Sequence, residues 1–303
     1  MMNKRLIMTL LVRDEEDILE KNIRFHLSQG VDFIVAIDNG SIDETPKILQ
    51  KYQDKGLLKY SIERAHTQEL DKWVSQMAWE AVEKYGATHL FHNDADEFWY
   101  TKGNSLKDCL PEKNKIFLVR RYNFLPNSGS KINTFQNFQY LGLGKDDLSQ
   151  MSYDEAIYKS VFNALAPKVL TTSRFTKVKM GNHDILTKSK VSKIYSENIF
   201  IFHFPIRSYS QFEYKVVKSA TAYQNGPHAY DDNGWHIKSW YKLYKNGQLE
   251  SYYEKLFSSE NMNNLISKGI IKKTRVPMKI KHELFLYSMF RMGSFLYSHI
   301  HKV

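Results

Sequence analysis

Up to about residue 126, short apolar runs alternate with amphipathic segments, and this alternation restricts the fold more than any other feature of the chain. Strands joined by helices pair in parallel, and the helices cover both faces of the sheet. The sequence therefore predicts an α/β fold with a mainly parallel, Rossmann-like sheet. The predicted strands are residues 6–12, 32–37, 88–93 and 116–122, and the predicted helices are residues 17–29, 45–55 and 68–85.

Three acidic residues follow the third predicted strand directly, in Asp94-Ala95-Asp96-Glu97. Carboxylates one residue apart can reach the same hard cation and leave its other positions open for phosphate oxygens. A solvated loop is the alternative, but the aromatic residues 98–100 come next and make the acids a polar island in an apolar segment. We therefore expect Asp94 and Asp96 to hold Mn²⁺ or Mg²⁺.

Polar residues also end the other two early strands. Asp38 and Asn39 follow residues 32–37, and Arg13 and Glu15 follow residues 6–12. Open α/β sheets bind ligands at the carboxyl ends of their strands, so we expect these residues near a ligand. Ser41 and Glu44 have the spacing of a capping box, which predicts that Ser41 caps the helix that follows.

The order of these motifs resembles that of glycosyltransferase family 2, the GT-A type of nucleotide-sugar transferase. The motifs that carry the resemblance are Arg13-Asp14-Glu15-Glu16, a helix with His26, Asp38-Asn39-Gly40-Ser41 and Asp94-Ala95-Asp96-Glu97-Phe98. They cover residues 4–126, and His203-Phe204-Pro205 with Arg207-Ser208-Tyr209 extends the similarity to about residue 220. Many relatives carry Asn where this chain has Asp14.

The resemblance implies a GT-A fold and a metal-dependent enzyme of the hexosyltransferase type. Such an enzyme moves a sugar from a nucleoside diphosphate, here expected to be a UDP-sugar, to a hydroxyl of a glycan or glycolipid, with inversion. The usual role of the family is bacterial surface polysaccharide or lipopolysaccharide synthesis. The residues expected at the donor are Arg13, Glu15, Asp38, Asn39, Asp94, Arg207 and Lys215.

Inverting transfer needs a carboxylate that takes the proton of the acceptor hydroxyl. The candidates are Asp154, Glu155 and Asp184, and we prefer Asp184 because it adjoins His183. Glu97 is expected to orient Asp96 or to touch the donor sugar.

Two histidines end predicted apolar segments, and a neutral imidazole can complete a metal shell. We expect His183 to join Asp94 and Asp96 in this role, with a structural role as an equal alternative. For His203 we favour an ordinary polar role, because Pro205 behind it indicates a turn.

Two other classes of protein remain open. A metal-dependent nucleotidyltransferase also uses spaced carboxylates, but it usually has an early glycine-rich phosphate loop, and residues 6–16 contain no glycine. A non-catalytic glycan-binding or membrane-binding module would use the aromatic and basic residues without a metal.

The net charge of +10 favours an anionic partner. Nucleic acid is not expected, because the chain has no zinc knuckle, helix-turn-helix signature or dense arginine tract. A nucleotide-sugar or an anionic membrane surface explains the charge. Charged residues follow the first apolar run where a signal peptide would have its cleavage site, so we expect a cytoplasmic protein. The single cysteine, Cys109, fits a reducing compartment.

We expect a catalytic domain at residues 1–225 and an aromatic, basic, helical region at residues 226–303. Basic residues precede apolar ones near the end of the chain, so this region either lies peripherally at the inner face of the cell membrane or packs on the core or a partner subunit. It would serve the acceptor, the membrane or an oligomer. Its aromatic cluster either stacks on a sugar or belongs to the core, and consists of Trp235, His236, Trp240, Tyr241 and Tyr244.

Overall fold

The first half of the chain is a series of alternating strands and helices. The computed structural model describes residues 4–64, 70–111, 115–127, 138–144, 155, 160–172, 177–179, 182–187, 191–225 and 235–282. The first elements are β1 (Leu6–Val12), α1 (Leu19–Ser28), β2 (Phe33–Asp38), α2 (Thr45–Asp54), β3 (Leu58–Ile62), α3 (Leu70–Glu83) and β4 (His89–Asp94). The three predicted helices and the first three predicted strands are confirmed, with their ends within two residues of prediction.

The second half adds mostly antiparallel strands. These are β5 (Glu97–Thr101), β6 (Lys115–Pro126), β7 (Phe138–Gly142), β8 (Leu165–Thr172), β9 (Lys177–Val178), β10 (Ile185–Leu186), β11 (Ser192–His203) and β12 (Ile271–Lys273). A 3-10 turn at Lys107–Cys109 follows β5.

One mixed sheet joins the two halves, in the order β12-β7-β6-β8-β4-β1-β2-β3, with β11 pairing with β5 and β6. The strands β4, β1, β2 and β3 are parallel neighbours. Beyond β4, β8 and β6 pair in antiparallel register. The predicted α/β class is therefore confirmed, with a parallel half built by the early βαβ units and an antiparallel half beside it.

The central strand β1 is buried on both faces, as expected for a parallel strand covered by helices. Leu6, Met8 and Leu10 face the cluster that contains residues of α1 and α2. Ile7 faces the opposite cluster, where it is grouped with Trp73 of α3. The helices thus fix β1 in the middle of the domain, and the polar residues after it are presented at the sheet edge.

Helices dominate the chain after β11: α4 (Tyr209–Asn225), α5 (Trp235–Lys245), α6 (Leu249–Leu256) and α7 (Ser259–Ser267). The helical character predicted for residues 226–303 is confirmed for α5, α6 and α7. Trp240 of α5 shares an apolar cluster with Phe212 of α4 and Phe162, and β12 returns to pair with β7. The division at residue 225 stays a prediction.

The predicted membrane contact also stays a prediction. Its apolar residues from Leu284 onward lie outside the described part of the chain. In the described helices there is no segment of the length and hydropathy that a bilayer crossing requires.

Candidate functional site

The carboxyl ends of β2, β1 and β4 lie side by side at one edge of the sheet. Val12 pairs with Asp38 and Leu11 pairs with Asp94 in the parallel register. Neighbouring strands are about 4.8 Å apart, so Asp38 and Asp94 flank the end of β1 at roughly 10 Å from each other. The sheet therefore brings the predicted residues after β1, β2 and β4 to one place.

Helix α1 holds the turn between β4 and β5 through a buried asparagine. The side-chain amide of Asn22 donates to the carbonyls of Ala95 at 2.9 Å and Glu97 at 2.7 Å. Its own oxygen accepts from the amide of Asn93 at 2.8 Å. Asn22 is fully buried, so these bonds are shielded from water. The backbone that carries Asp94 and Asp96 is consequently fixed by α1.

His26, one turn further along α1, holds the next strand. Its Nδ1 lies 2.8 Å from the carbonyl oxygen of Asn22 and therefore donates, which leaves Nε2 to accept the backbone N–H of Trp99 at 3.1 Å. Burial lowers the pKa of His26 to about 3. The ring is thus neutral and structural.

Asp94 is joined to a buried cation. The ammonium of Lys168, 1% exposed, lies 2.6 Å from Asp94 Oδ2 and 2.7 Å from Glu97 Oε2. Arg121 donates to the other oxygen of Glu97 at 2.7 Å. Desolvation raises the pKa of Asp94, but Lys168 and then His92 lower it well below its ordinary value. Asp94 is therefore ionised, and its half-exposed side chain is the part of this network that can reach a ligand.

Asp96 is surrounded by a second group of basic side chains. Lys215 Nζ lies 2.8 Å and Arg207 Nη1 3.8 Å from its Oδ2, and His203 Nε2 lies 3.3 Å from its Oδ1. Burial raises the pKa of Asp96, but Lys215, His203 and Arg207 hold it well below its ordinary value. A buried carboxylate of this kind is stable only with such compensation.

The hydrogen bonds of Asn123 determine how His203 faces Asp96. The amide of Asn123 donates to the carbonyl of Val161 at 2.9 Å, so its oxygen is the atom that meets His203 Nδ1 at 2.8 Å. Nδ1 therefore donates, and a neutral ring would direct the Nε2 lone pair at the Asp96 carboxylate. Two acceptors 3.3 Å apart repel each other, so the position between them needs a proton or a metal cation.

This arrangement bears on the predicted metal site. Among the described residues no three His, Cys, Asp or Glu side chains form a ligand group for a metal ion. Asp96 and His203 can together offer a carboxylate oxygen and an imidazole nitrogen to a divalent cation such as Mn²⁺, which accepts carboxylate, water and phosphate as further ligands, but Lys215 lies 2.8 Å from Asp96 Oδ2 and competes for that atom. Asp94 lies two residues before Asp96, and Lys168 competes with a metal for its Oδ2.

Arg207 ties the loop after β1 to the segment after β11. It donates to Asp17 at 2.6 and 2.9 Å, to Glu15 at 2.6 Å and to the carbonyl of Phe204 at 3.2 Å. Burial lowers its pKa, but Glu15 and Asp17 raise it above the ordinary value. Arg207 is thus a buried residue that holds the two segments together, and its N–H groups bond to other protein atoms.

Glu15, which was predicted to lie near the nucleotide-sugar, accepts this hydrogen bond from Arg207. Burial raises the pKa of Glu15 against the opposing effects of Arg207 and Lys215. Glu15 and Arg207, which were both predicted to lie near the nucleotide-sugar, are therefore in contact with each other at the site. Lys215 lies within 3.9 Å of the Glu15 carboxylate.

Asp14 joins the β1 loop to α4. Its backbone adopts φ 51°, and its Oδ1 accepts the N–H of Ile42 at 2.7 Å. Its other oxygen accepts from Tyr214 at 2.8 Å and pairs with Lys218. Asp14 thus has a structural role, with α4 lying over the loop.

The loops after β1 and β2 each carry a buried polar atom without a hydrogen bond. Asp38 accepts from the N–H of Ser41 at 3.0 Å and from its hydroxyl at 2.6 Å. Within the described residues, the buried Oδ1 of Asn39 and the buried Nε of Arg13 make no hydrogen bond. Buried polar groups are usually satisfied, so an acceptor and a donor are available here to a ligand that penetrates the loops.

The predicted capping box is wrong. Glu44 is the N-cap residue of α2 and its side chain makes no capping bond, while Asp43 accepts the N–H of Thr45 at 2.9 Å. Ser41 donates to Asp38 instead, because a local turn around an aspartate competes with the helix for the hydroxyl. Ser41 also accepts the N–H of Asp14 at 2.9 Å, so it links the β1 and β2 loops.

The remaining predicted residues make other contacts, although His183 lies close enough to Arg121, Lys168 and Glu97 to interact with their charges. His183 Nδ1 meets the carbonyl of Pro167 at 2.8 Å, and it is His203 that contacts Asp96. Asp184 pairs with Lys179 and Lys193. Burial raises the pKa of Asp184, but hydrogen bonds from these lysines lower it to about 2. This low pKa does not favour Asp184 as a base. Glu155 is exposed, and Asp154 lies outside the described residues. These assignments stay predictions.

Sequence reasoning missed the residues that support the acidic turn. Lys168 interrupts an apolar strand, and Asn22 lies on the inner face of an amphipathic helix. The one sequence signal for Lys168 is its position among apolar residues, because a charge that is buried with such neighbours must have a partner.

Comparison with known proteins gives only distant similarities. No protein-family model matches this chain, and no curated protein matches it. A solved structure of S. aureus TarS 1-349 shares 15% identity at a TM-score of 0.41, covering 86% of this chain and 74% of that one. TarS 1-349 in complex with UDP-GlcNAc shares 14% identity at a TM-score of 0.40, covering 75% and 69%. For 4-diphosphocytidyl-2C-methyl-D-erythritol synthase the identity is 13% and the TM-score 0.30, covering 57% and 77%.

Proposed function

We propose that this protein is a glycosyltransferase of the GT-A type that transfers a sugar from a nucleoside diphosphate to a hydroxyl of a glycan acceptor. The observation that carries the proposal is the alignment of β2, β1 and β4. It brings Asp38, the β1 loop and the Asp94–Glu97 turn to one sheet edge. This order suits a donor whose nucleoside lies at the β2 end and the adjacent β1 loop, whose diphosphate lies at the turn after β4, and whose sugar lies beyond that turn.

The β2 end and the adjacent β1 loop would hold the nucleoside. Uracil offers an N–H donor and carbonyl acceptors, and these match the unsatisfied Asn39 oxygen and Arg13 N–H. UDP is accordingly the nucleotide that we propose. Asp38 would contact the ribose or the base through its Oδ2, because both bonds from Ser41 go to Oδ1.

The β4 end would hold the diphosphate. Lys215 is the most exposed cation on Asp96, with 39% of its side chain accessible, and can turn from the carboxylate to a phosphate. A divalent cation, if bound, would be held by Asp96 and His203 with Asp94 beside it, and would neutralise charge on the departing diphosphate. Glu97 and Lys168 would hold Asp94 in place.

Inversion at the sugar and a part in surface polysaccharide synthesis are the finer elements of the proposal. Both follow from the motif resemblance. Asp154, Glu155 and Asp184 remain the candidates for the base that takes the acceptor proton. The ion pairs of Asp184 make the other two preferable.

Calorimetric titration of UDP tests the proposal. UDP should bind the wild-type protein in Mn²⁺, more weakly in EDTA, and at least ten-fold more weakly to Asp96→Asn, which keeps shape but removes the charge. Asp54→Asn is the matched control, since Asp54 is bonded only to Gln50 on the exposed face of α2 in the described contacts. Absence of UDP binding under every condition, with circular dichroism showing folded protein, would refute the proposal.

A further inference from the structure

A cavity of about 470 Å³ lies on the side of β4 away from the nucleoside end. It is bounded by the starts of β8 and α4, by the carboxyl ends of β6 and β11, and by α5. Its volume lies within the roughly 300–1,000 Å³ that small-ligand sites usually have.

Sheet order places this cavity in line with the rest of the site. β8 runs antiparallel beside β4, so its first residues lie at the edge where β4 ends. Leu165 pairs with Arg121 of β6, which brings Asn123 to the same edge. Along this edge the order is thus Asp38 on β2, the β1 loop, Asp94 after β4, and then the cavity.

Two cavity residues also contact the carboxylate centre. His203 and Lys215 line the cavity, and both lie within 3.3 Å of Asp96. A group bound in the cavity therefore lies next to the position proposed for the donor diphosphate and sugar. This adjacency is what an acceptor hydroxyl requires.

The lining indicates the chemistry of the ligand. Phe212, His236 and Trp240 form an aromatic side of the cavity, where Trp240 packs edge-to-face on both neighbours, at 5.0 Å and 74° to Phe212 and at 5.3 Å and 80° to His236. Most other lining residues are aliphatic. Lys215 is the one ammonium group among the lining residues, and Asp96 neutralises it. Burial lowers the pKa of His236, which favours the neutral ring.

We infer that this cavity is the acceptor site and that it takes an uncharged pyranose ring, packed by its apolar C–H face against the aromatic side with a hydroxyl directed toward His203. Aromatic side chains suit such a ring, because they offer a large apolar surface beside a small number of polar atoms. The inference rests on the proposed glycosyltransferase function, since it uses the donor position at Asp96.

Saturation-transfer NMR with the full chain and saturating UDP tests the inference. The probes are the methyl pyranosides of glucose, galactose, mannose, rhamnose, N-acetylglucosamine and N-acetylgalactosamine. At least one should receive saturation, strongest on the C–H protons of one ring face. Ala166→Trp should weaken that glycoside at least ten-fold, because exposed Ala166 lies on the cavity wall and an indole there would fill the mouth.

The control is Leu186→Trp, which adds the same ring at an exposed position in β10 outside the cavity lining and should leave the glycoside signal unchanged. UDP affinity should stay within two-fold in both variants. A panel with no bound member, or a signal that survives Ala166→Trp, would overturn the acceptor assignment while UDP still binds. Loss of UDP affinity in Ala166→Trp alone would also overturn it, by placing the cavity on the donor side. Failure of wild-type protein to bind UDP would instead refute the proposed function.

Discussion

Lys168 is a buried cation that holds a half-exposed carboxylate: its side chain is 1% exposed and its ammonium lies 2.6 Å from Asp94, whose side chain is 45% exposed. The same ammonium lies 2.7 Å from fully buried Glu97. A ligand at Asp94 therefore meets an anion whose position and charge are set from inside the protein.

Replacement of Lys168 by Met should destabilise the fold by about 3 kcal/mol, because removal of one partner leaves a buried charge poorly compensated. Glu97 would keep only Arg121 in the described contacts. Urea unfolding measures the change. The double variant Lys168→Met with Glu97→Gln should recover part of the loss, since the uncompensated charge is then removed as well. A single variant as stable as the wild type would contradict this account.

Replacement of Asn22 by Ala should cost about 2–3 kcal/mol and weaken UDP binding, because a buried amide that satisfies several groups is lost. The turn that carries Asp96 would lose the two bonds at 2.9 and 2.7 Å. Chemical denaturation and calorimetry measure the two effects. Ser28→Ala on the same helix is the control, since Ser28 bonds only the carbonyl of Phe25 in the described contacts and should leave UDP binding intact.

His26 should make stability fall as the solution is acidified below about pH 6.5. Its pKa is lowered to about 3 by burial, so between these values the unfolded chain binds a proton that the folded protein does not. Stability should therefore decrease by up to about 1.4 kcal/mol per pH unit from this residue as pH falls from 6 to 4.

Two measurements isolate this effect. The ¹⁵N shifts of the His26 ring should stay those of a neutral imidazole down to pH 5 in the folded protein. His26→Gln should show a shallower loss of stability between pH 6 and 4. A ring that titrates near pH 6.5 while the protein is folded would disprove the explanation.

Mn²⁺ should broaden the ring signals of His203 before those of His183. The prediction follows from the position of His203 Nε2, 3.3 Å from Asp96, whereas His183 Nδ1 meets the carbonyl of Pro167. Paramagnetic NMR in the presence of UDP measures both rings in one sample. Preferential broadening of His183 would restore the ligand set expected from the sequence.

The parallel half of the sheet was predictable because its strands and helices carry clear periodicities and each connection is short. β1, α1, β2, α2 and β4 follow the predicted pattern closely. The acids at the carboxyl ends of these strands could be placed together from the rule for parallel sheets alone. The position of Asp38, Asp94 and Asp96 at one edge of the sheet was predicted in this way.

The antiparallel half depends on contacts between distant residues, which local pattern does not reveal. β8 contains Lys168 among apolar residues, and β11 has mostly exposed polar residues before Ile199. The contact of His203 with Asp96 requires β11 to run parallel to β6 and to end beside the turn between β4 and β5. Pro205 made that histidine look like an ordinary turn residue, although the pairing of β11 with β5 sets His203 opposite Glu97.

Release of UDP from UDP-sugars tests the central claim most directly. Wild-type protein incubated with UDP-glucose, UDP-galactose, UDP-N-acetylglucosamine and UDP-N-acetylgalactosamine in Mn²⁺ should release UDP from at least one by slow transfer to water. Asp96→Asn should lose this activity while remaining folded, and Asp54→Asn should keep it. No release from any of the four, together with UDP-sugar binding that Asp96→Asn leaves unchanged, would contradict the assignment of this edge of the sheet as a sugar-transfer site.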